Sequence, residues 1–126
     1  MTGHCSGAQH IGLPTANFEK TISFYENLGF QRAFSTQNNG KLVTFLKLGD
    51  LVIEVYERDC AAGKSGAIDH FALNVDDVDA VYRQAAEQGL ELLDDQVRFL
   101  PFWENGVRFF TILGPNGEKV EFSTIL

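Results

Sequence analysis

The strongest constraint on this chain is that its second half resembles its first. Residues 10 to 30 lie over residues 70 to 90 without a gap, matching His10 with His70, Leu13 with Leu73 and Gly29 with Gly89. Five further residues in the second half bring Leu48-Gly49 onto Leu113-Gly114, and a turn two residues longer then brings Glu54 onto Glu121. Matching residues are few, so the weight rests on the order of elements, which agrees independently in both halves.

In the first half, residues 9 to 14 alternate, with Ile11 and Leu13 on one face and His10 and Gly12 on the other, the period of a strand. Thr15 or Asn17 can cap a following helix that places Phe18, Ile22, Tyr25 and Leu28 on one side, and Gly29 stands where it should stop. Strands are expected over 30 to 36, 42 to 48 and 51 to 56, with Asn39-Gly40 suited to the tight turn between the first two. Residues 58 to 67 have turn composition and no periodicity. The pattern then restarts: a strand over 70 to 75, a helix capped by Asp76 or Asp77 and carrying Val78, Val81, Tyr82 and Ala85, and a stop at Gly89. Strands follow at 90 to 99, 107 to 113 and 118 to 124, separated by the aromatic Pro101-Phe-Trp-Glu104 and two Asn-Gly turns. Residues 1 to 7 are expected to be a disordered tail, with His4 a free surface histidine. The remainder, 8 to 126, is expected to form one domain: module one over 8 to 57, a linker over 58 to 67 and module two over 68 to 126.

A chain of 126 residues can bury a substantial core without a disulfide or structural metal. Seventeen acidic against ten scattered basic residues give a net charge of -7, which disfavours nucleic acid and anionic membrane as partners. Cys5 and Cys60 do not read as a disulfide framework, no apolar run approaches transmembrane length, and the first seven residues lack an apolar core for secretion. The expected compartment is the cytoplasm. Eleven phenylalanines are many for this length and can serve a tight core or an apolar pocket.

Alternation gives the repeated polar residues a meaning. His10 lies opposite Ile11 and Leu13, His70 opposite Phe71 and Leu73, Glu54 opposite Ile53 and Val55, and Glu121 opposite Val120 and Phe122. All four therefore point away from the helix-covered faces. An ionised carboxylate among apolar neighbours costs several kcal/mol unless something compensates it, and a cation compensates two at once. Two imidazoles and two carboxylates suit a divalent transition metal such as Ni²⁺, Co²⁺, Zn²⁺, Mn²⁺ or Fe²⁺. Taken singly, a strand histidine is more often hydrogen-bonded core or surface and a strand glutamate more often solvated; joint placement at repeat-equivalent positions favours the metal reading. Tyr56 and Val52 share Glu54's face and are expected to line a substrate pocket, with the Tyr56 hydroxyl a candidate donor to a substrate oxygen. Phe102 and Trp103 line that pocket, form a subunit contact, or fold over their own sheet.

His10-Ile-Gly-Leu-Pro14, Phe24-Tyr-Glu-Asn-Leu-Gly-Phe30, Asp69-His-Phe-Ala-Leu-Asn-Val75 and Gly114-Pro-Asn-Gly-Glu-Lys-Val-Glu-Phe122 together resemble the vicinal oxygen chelate superfamily of glyoxalases, epimerases, dioxygenases and bleomycin-resistance proteins. The resemblance covers about residues 8 to 125. It implies an α+β fold in which two βαβββ modules form cupped mixed sheets around a metal, with His10, Glu54, His70 and Glu121 as ligands. This ligand set resembles that of short bacterial glyoxalase I, in which nickel or cobalt often supports activity better than zinc. The implied function is a lactoylglutathione lyase-like lyase or isomerase acting on a hemithioacetal or related α-hydroxycarbonyl through a metal-bound enediolate, with Glu121 as base and Glu54 as its partner. The resemblance also implies a homodimer, with the site within one chain or shared between two. Pro14 stands where glyoxalase I usually carries an arginine for glutathione, and Pro101-Phe-Trp-Glu-Asn-Gly106 lacks basic residues, which leaves the thiol open. Two other readings stay open: a binding or resistance protein that holds a small molecule without turnover, and an epimerase of acyl-CoA thioesters.

Overall fold

The computed structural model describes residues 1–126, and the chain forms two compact units: His10–Asp69, and Met1–Gln9 together with His70–Leu126. The first unit follows the expected βαβββ order, the second follows it with one strand divided in two, and the fold is α+β.

In the first unit, β1 (Cys5–Thr15) contributes its residues from His10 onward, followed by α1 (Phe18–Asn27), β2 (Gln31–Asn38), β3 (Lys41–Leu48) and β4 (Leu51–Glu57). The order across the sheet is β2-β3-β4-β1. β4 runs parallel to β1, with Ile11 opposite Ile53 and Gly12 opposite Glu54, because the helix crosses between them. Phe18 and Ile22 of α1 bury against Leu46, Ile53 and Val55, with Ile11, Leu13 and Tyr25 at the margin. Leu28, expected on that face, is instead the exposed C-cap residue. Asn39 (φ 51°) and Gly40 (φ 78°) both adopt the positive φ that a two-residue hairpin turn requires.

The second unit contains β5 (His70–Val75), α2 (Val78–Glu87), β6 (Glu91–Leu92), β7 (Arg98–Leu100), β8 (Val107–Leu113) and β9 (Lys119–Ile125). β9 lies parallel to β5 and antiparallel to β8, which also pairs with β6 and β7. Val78, Val81 and Ala85 of α2 pack on Val75, Phe110, Ile112 and Phe122. Asp77 caps the helix by accepting from the Ala80 N–H at 3.0 Å.

Three expectations are corrected. The strand over 90 to 99 is broken in two, because the Asp94 carboxylate accepts the Thr111 N–H at 2.8 Å and so takes a place that a backbone carbonyl would hold in a continuous ladder. Residues 1 to 7 are not a free tail: β1 begins at Cys5, and His4 Nδ1 lies 2.7 Å from an Asp76 carboxylate oxygen. The Asn74 amide also donates to the Ala8 carbonyl at 3.4 Å. Phe71, expected to point into the core, is 42% exposed, while Leu73 and Val75 on the same face are the ones that pack.

Candidate functional site

Each unit brings its own histidine and glutamate together in the same way. Gly12 of β1 is opposite Glu54, and Ala72 of β5 is opposite Glu121, so the glutamate in both cases pairs with the residue two beyond the histidine. Because strand side chains alternate, the histidine, the small residue and the glutamate share a face. Gly12 and Ala72 put almost nothing between imidazole and carboxylate. His10 Nε2 lies 3.5 Å from Glu54 Oε1, and His70 Nε2 lies 3.5 Å from Glu121 Oε2.

That distance carries chemical information. A charge-assisted N–H···O bond is normally about 2.7 to 2.9 Å. Two donors on one ion at about 2.1 Å are instead separated by roughly 3.0 Å at a right angle and 3.4 Å at the tetrahedral angle. Nitrogen and oxygen at 3.5 Å fit shared coordination better than a direct bond. The side chains are also largely withdrawn from water, with 5% and 15% of His10 and Glu54 exposed and 10% and 12% of His70 and Glu121. Carboxylates so placed need a compensating positive charge.

The surroundings of the two pairs differ. Phe45 on β3 is directly opposite Glu54, and its ring meets the His10 ring edge to face with centroids 5.4 Å apart. The equivalent place opposite Glu121 holds Thr111. Sequence reasoning did not single out Phe45, although the two-residue gap between the expected strands 42 to 48 and 51 to 56 implies its register. Ser123, two residues beyond Glu121 and fully buried, has a hydroxyl without a hydrogen-bond partner.

Beyond Glu54 the first unit builds a polar row. The Arg58 guanidinium donates from Nη2 to the Tyr56 hydroxyl at 3.3 Å, and its Cζ stands 5.4 Å from the centre of the Tyr56 ring. Arg58 Nη1 lies 3.5 Å from Asp69 Oδ1. Burial first, then the negative charges of Asp69 and Glu54, push the Tyr56 phenol well above its usual range, against the opposing pull of Arg58. The phenol therefore stays protonated and able to donate, and Asp69 is one of its hydrogen-bond partners. Arg58 and Asp69 were both missed in the sequence, Arg58 because turn composition placed it in a linker. Its backbone N–H instead bonds to the Thr15 carbonyl at 3.0 Å, beside the last β1–β4 pair, Thr15 with Glu57.

Phe102 and Trp103 lie in the second unit, in the loop from β7 to β8. Phe102 is buried, and Trp103 is partly exposed with φ 63°, a left-handed backbone unusual for a large residue. Gly106 closes this loop at φ 95°, and a Cβ there would meet the Phe99 ring.

Comparison with known proteins agrees with this architecture. The family model described as Glyoxalase/Bleomycin resistance protein/Dioxygenase superfamily matches residues 7–122. The chain is 33% identical over 122 residues to "Uncharacterized protein YwbC" of Bacillus subtilis (strain 168), covering 90% of this chain and 93% of that protein. Among solved structures, methylmalonyl-CoA epimerase from Mycobacterium tuberculosis superposes with a TM-score of 0.82 at 22% identity, over 100% of this chain and 92% of the other. The Mn(II)-bound glyoxalase from Novosphingobium aromaticivorans gives 0.69 at 18% identity, over 96% of this chain but 39% of that longer one. At these identities the structural likeness is one of fold. No helix is long and apolar enough to cross a membrane.

Proposed function

Because the chain belongs to the glyoxalase/bleomycin resistance protein/dioxygenase superfamily, we propose that it is a metal-dependent lyase or isomerase of glyoxalase I type, with His10, Glu54, His70 and Glu121 holding one divalent cation. Residues 8 to 126 act as one functional domain, with 8 to 57 and 68 to 126 as its modules. The observation that carries this reading is the repetition of a water-poor imidazole–carboxylate pair at 3.5 Å in both units. Nickel, cobalt and zinc suit the mixed nitrogen and oxygen donors, and manganese and iron are compatible with them.

A bound divalent ion would polarise a carbonyl oxygen and stabilise the negative charge that develops on it as the neighbouring proton leaves. Glu121 is the base in this scheme: one carboxylate oxygen takes the proton from the carbon next to the carbonyl and returns it to the carbon alongside. Glu54 stands as the second carboxylate, able to handle a proton from the other side. Neither can do so while held tightly as a ligand, so the base must be the more loosely held of the two. The histidines orient and hold. Phe45, against both His10 and Glu54, keeps water from the first pair, which strengthens every charge interaction there. Tyr56, Phe102 and Trp103 complete the substrate pocket in this reading.

The test is the metal content of purified protein together with deuterium uptake from solvent into hemithioacetals of methylglyoxal with several thiols. Loading with nickel, cobalt, zinc or manganese should give deuterium at the carbon next to the carbonyl. Protein that binds none of these ions and exchanges no proton overturns the reading. We further propose a homodimer, within which the site is either self-contained or shared. Mixing His10→Ala with His70→Ala subunits restores activity only if ligands from two chains meet.

A further inference from the structure

The first unit carries a feature that the proton-transfer chemistry does not use. Alternation along β4 puts Glu54 and Tyr56 on one face, and the side chain of Arg58, the residue that follows β4, is brought to Tyr56 by its own contacts. The repeat does not demand an arginine there: the corresponding positions beyond Glu121 are Ser123 and the exposed, apolar Ile125. Nor does Arg58 point away into bulk solvent. Its guanidinium lies back over the Tyr56 ring, donates to the Tyr56 hydroxyl and approaches Asp69. These contacts set the orientation of a side chain that is otherwise flexible, while 40% of it remains exposed. A guanidinium held this way and still partly exposed is suited to receive a carboxylate through the N–H donors that Tyr56 and Asp69 leave over.

The chain as a whole has a net charge of -7, so an anionic ligand is repelled by the molecule at large and needs a local cation. We propose that Arg58, positioned by Tyr56 and Asp69, reads a carboxylate on the substrate, so that this enzyme's substrates are carboxylate-bearing α-hydroxycarbonyl adducts. The proposal rests on the enzymatic reading given above. Tyr56 stands two positions beyond Glu54, roughly 7 Å along the strand. The carboxylate therefore belongs on a short arm a few bonds beyond the reacting carbon, as in the adduct of a mercaptoalkanoic acid.

The experiment compares two hemithioacetals of methylglyoxal, one made with 3-mercaptopropionate and one with its methyl ester, on nickel-loaded protein. They differ in one negative charge. The acid adduct should be preferred in kcat/KM by about tenfold, the scale of one charge-assisted pair at a partly exposed site. In Arg58→Gln the acid-to-ester ratio should fall to near one, and in Arg58→Lys it should be intermediate. Because the readout is a ratio, a general loss of folding or metal cancels from it. A second measurement needs neither turnover nor metal: the Arg58 Nε–H resonance in metal-free protein should shift on titration with 3-(methylthio)propionate and not with its methyl ester. If neither adduct turns over but that resonance responds to the acid alone, the enzymatic reading falls and the carboxylate site stands. If both adducts turn over with a ratio near one, or Arg58→Gln keeps the wild-type ratio, the carboxylate site falls and the enzymatic reading stands.

Discussion

If one ion is shared by two equivalent pairs, adding it should stabilise the folded chain, and removing either pair should cancel most of the gain. An ion at one hundred times its Kd that binds only the folded state adds about 2.7 kcal/mol. Unfolding entropy of about 2.1 cal/mol/K per residue gives about 0.26 kcal/mol/K for 126 residues, so the melting temperature should rise by about 10 °C. Losing a direct ligand should cost at least the hundredfold in affinity seen when a supporting partner is lost. At the same ion concentration the gain then shrinks to about 0.4 kcal/mol, or under about 2 °C. Because both pairs have the same 3.5 Å geometry, His10→Ala and His70→Ala should lose comparable amounts. Thermal melts with and without nickel, cobalt, zinc and manganese give the answer, and taking the difference for each variant removes its own change in basal stability. A melting temperature indifferent to all four ions refutes the reasoning. So does a full rise in His70→Ala alongside none in His10→Ala, because the pairs would then not act on one ion.

Other outcomes follow from the same structure. Asp77→Ala should cost about 1 kcal/mol in urea unfolding by removing a cap bond, whereas Asn17→Ala should cost only a few tenths, since its side chain makes no such bond. Gly106→Ala should destabilise by about 1 to 3 kcal/mol, because φ 95° is strained for alanine and its Cβ would run into the Phe99 ring. The Arg108 guanidinium holds the Asp79 carboxyl below its ordinary range, with contacts of 2.7 and 2.9 Å. Its contribution is thus present above the ordinary carboxylate pKa and is lost as pH falls through the lower folded value. Half-exposed as Asp79 is, the effect should be no more than about 1 kcal/mol. Urea midpoints of wild type and Asp79→Asn should therefore differ at pH 6 and converge below about pH 3.

The placement of the candidate residues was legible in spacing. Strand alternation placed His10, Glu54, His70 and Glu121 on defined faces, and the repeat made their positions equivalent before any contact was known. Hairpin turns implied even the register that sets Phe45 against Glu54, although composition drew no attention to it. The misreadings share a cause. Turn composition over 58 to 67 puts Arg58 in a linker and says nothing of the Tyr56 and Asp69 contacts that hold its side chain. Leu28 and Phe71 are apolar residues at apolar positions of their pattern, yet exposed, because a pattern records a face and not whether anything covers it.

Local sequence determined this protein's elements and the faces they present, since φ preferences, caps and side-chain alternation act within a few residues of themselves. Tertiary structure decided what lies against those faces. It drew Cys5–Gln9 into strand beside His70–Leu126, split the strand after α2 through the Asp94 carboxylate, and fixed the Arg58 guanidinium between Tyr56 and Asp69. Each of these joins residues distant in the chain or swaps a backbone partner for a side chain, and packing energy selects such contacts only once the strands have met.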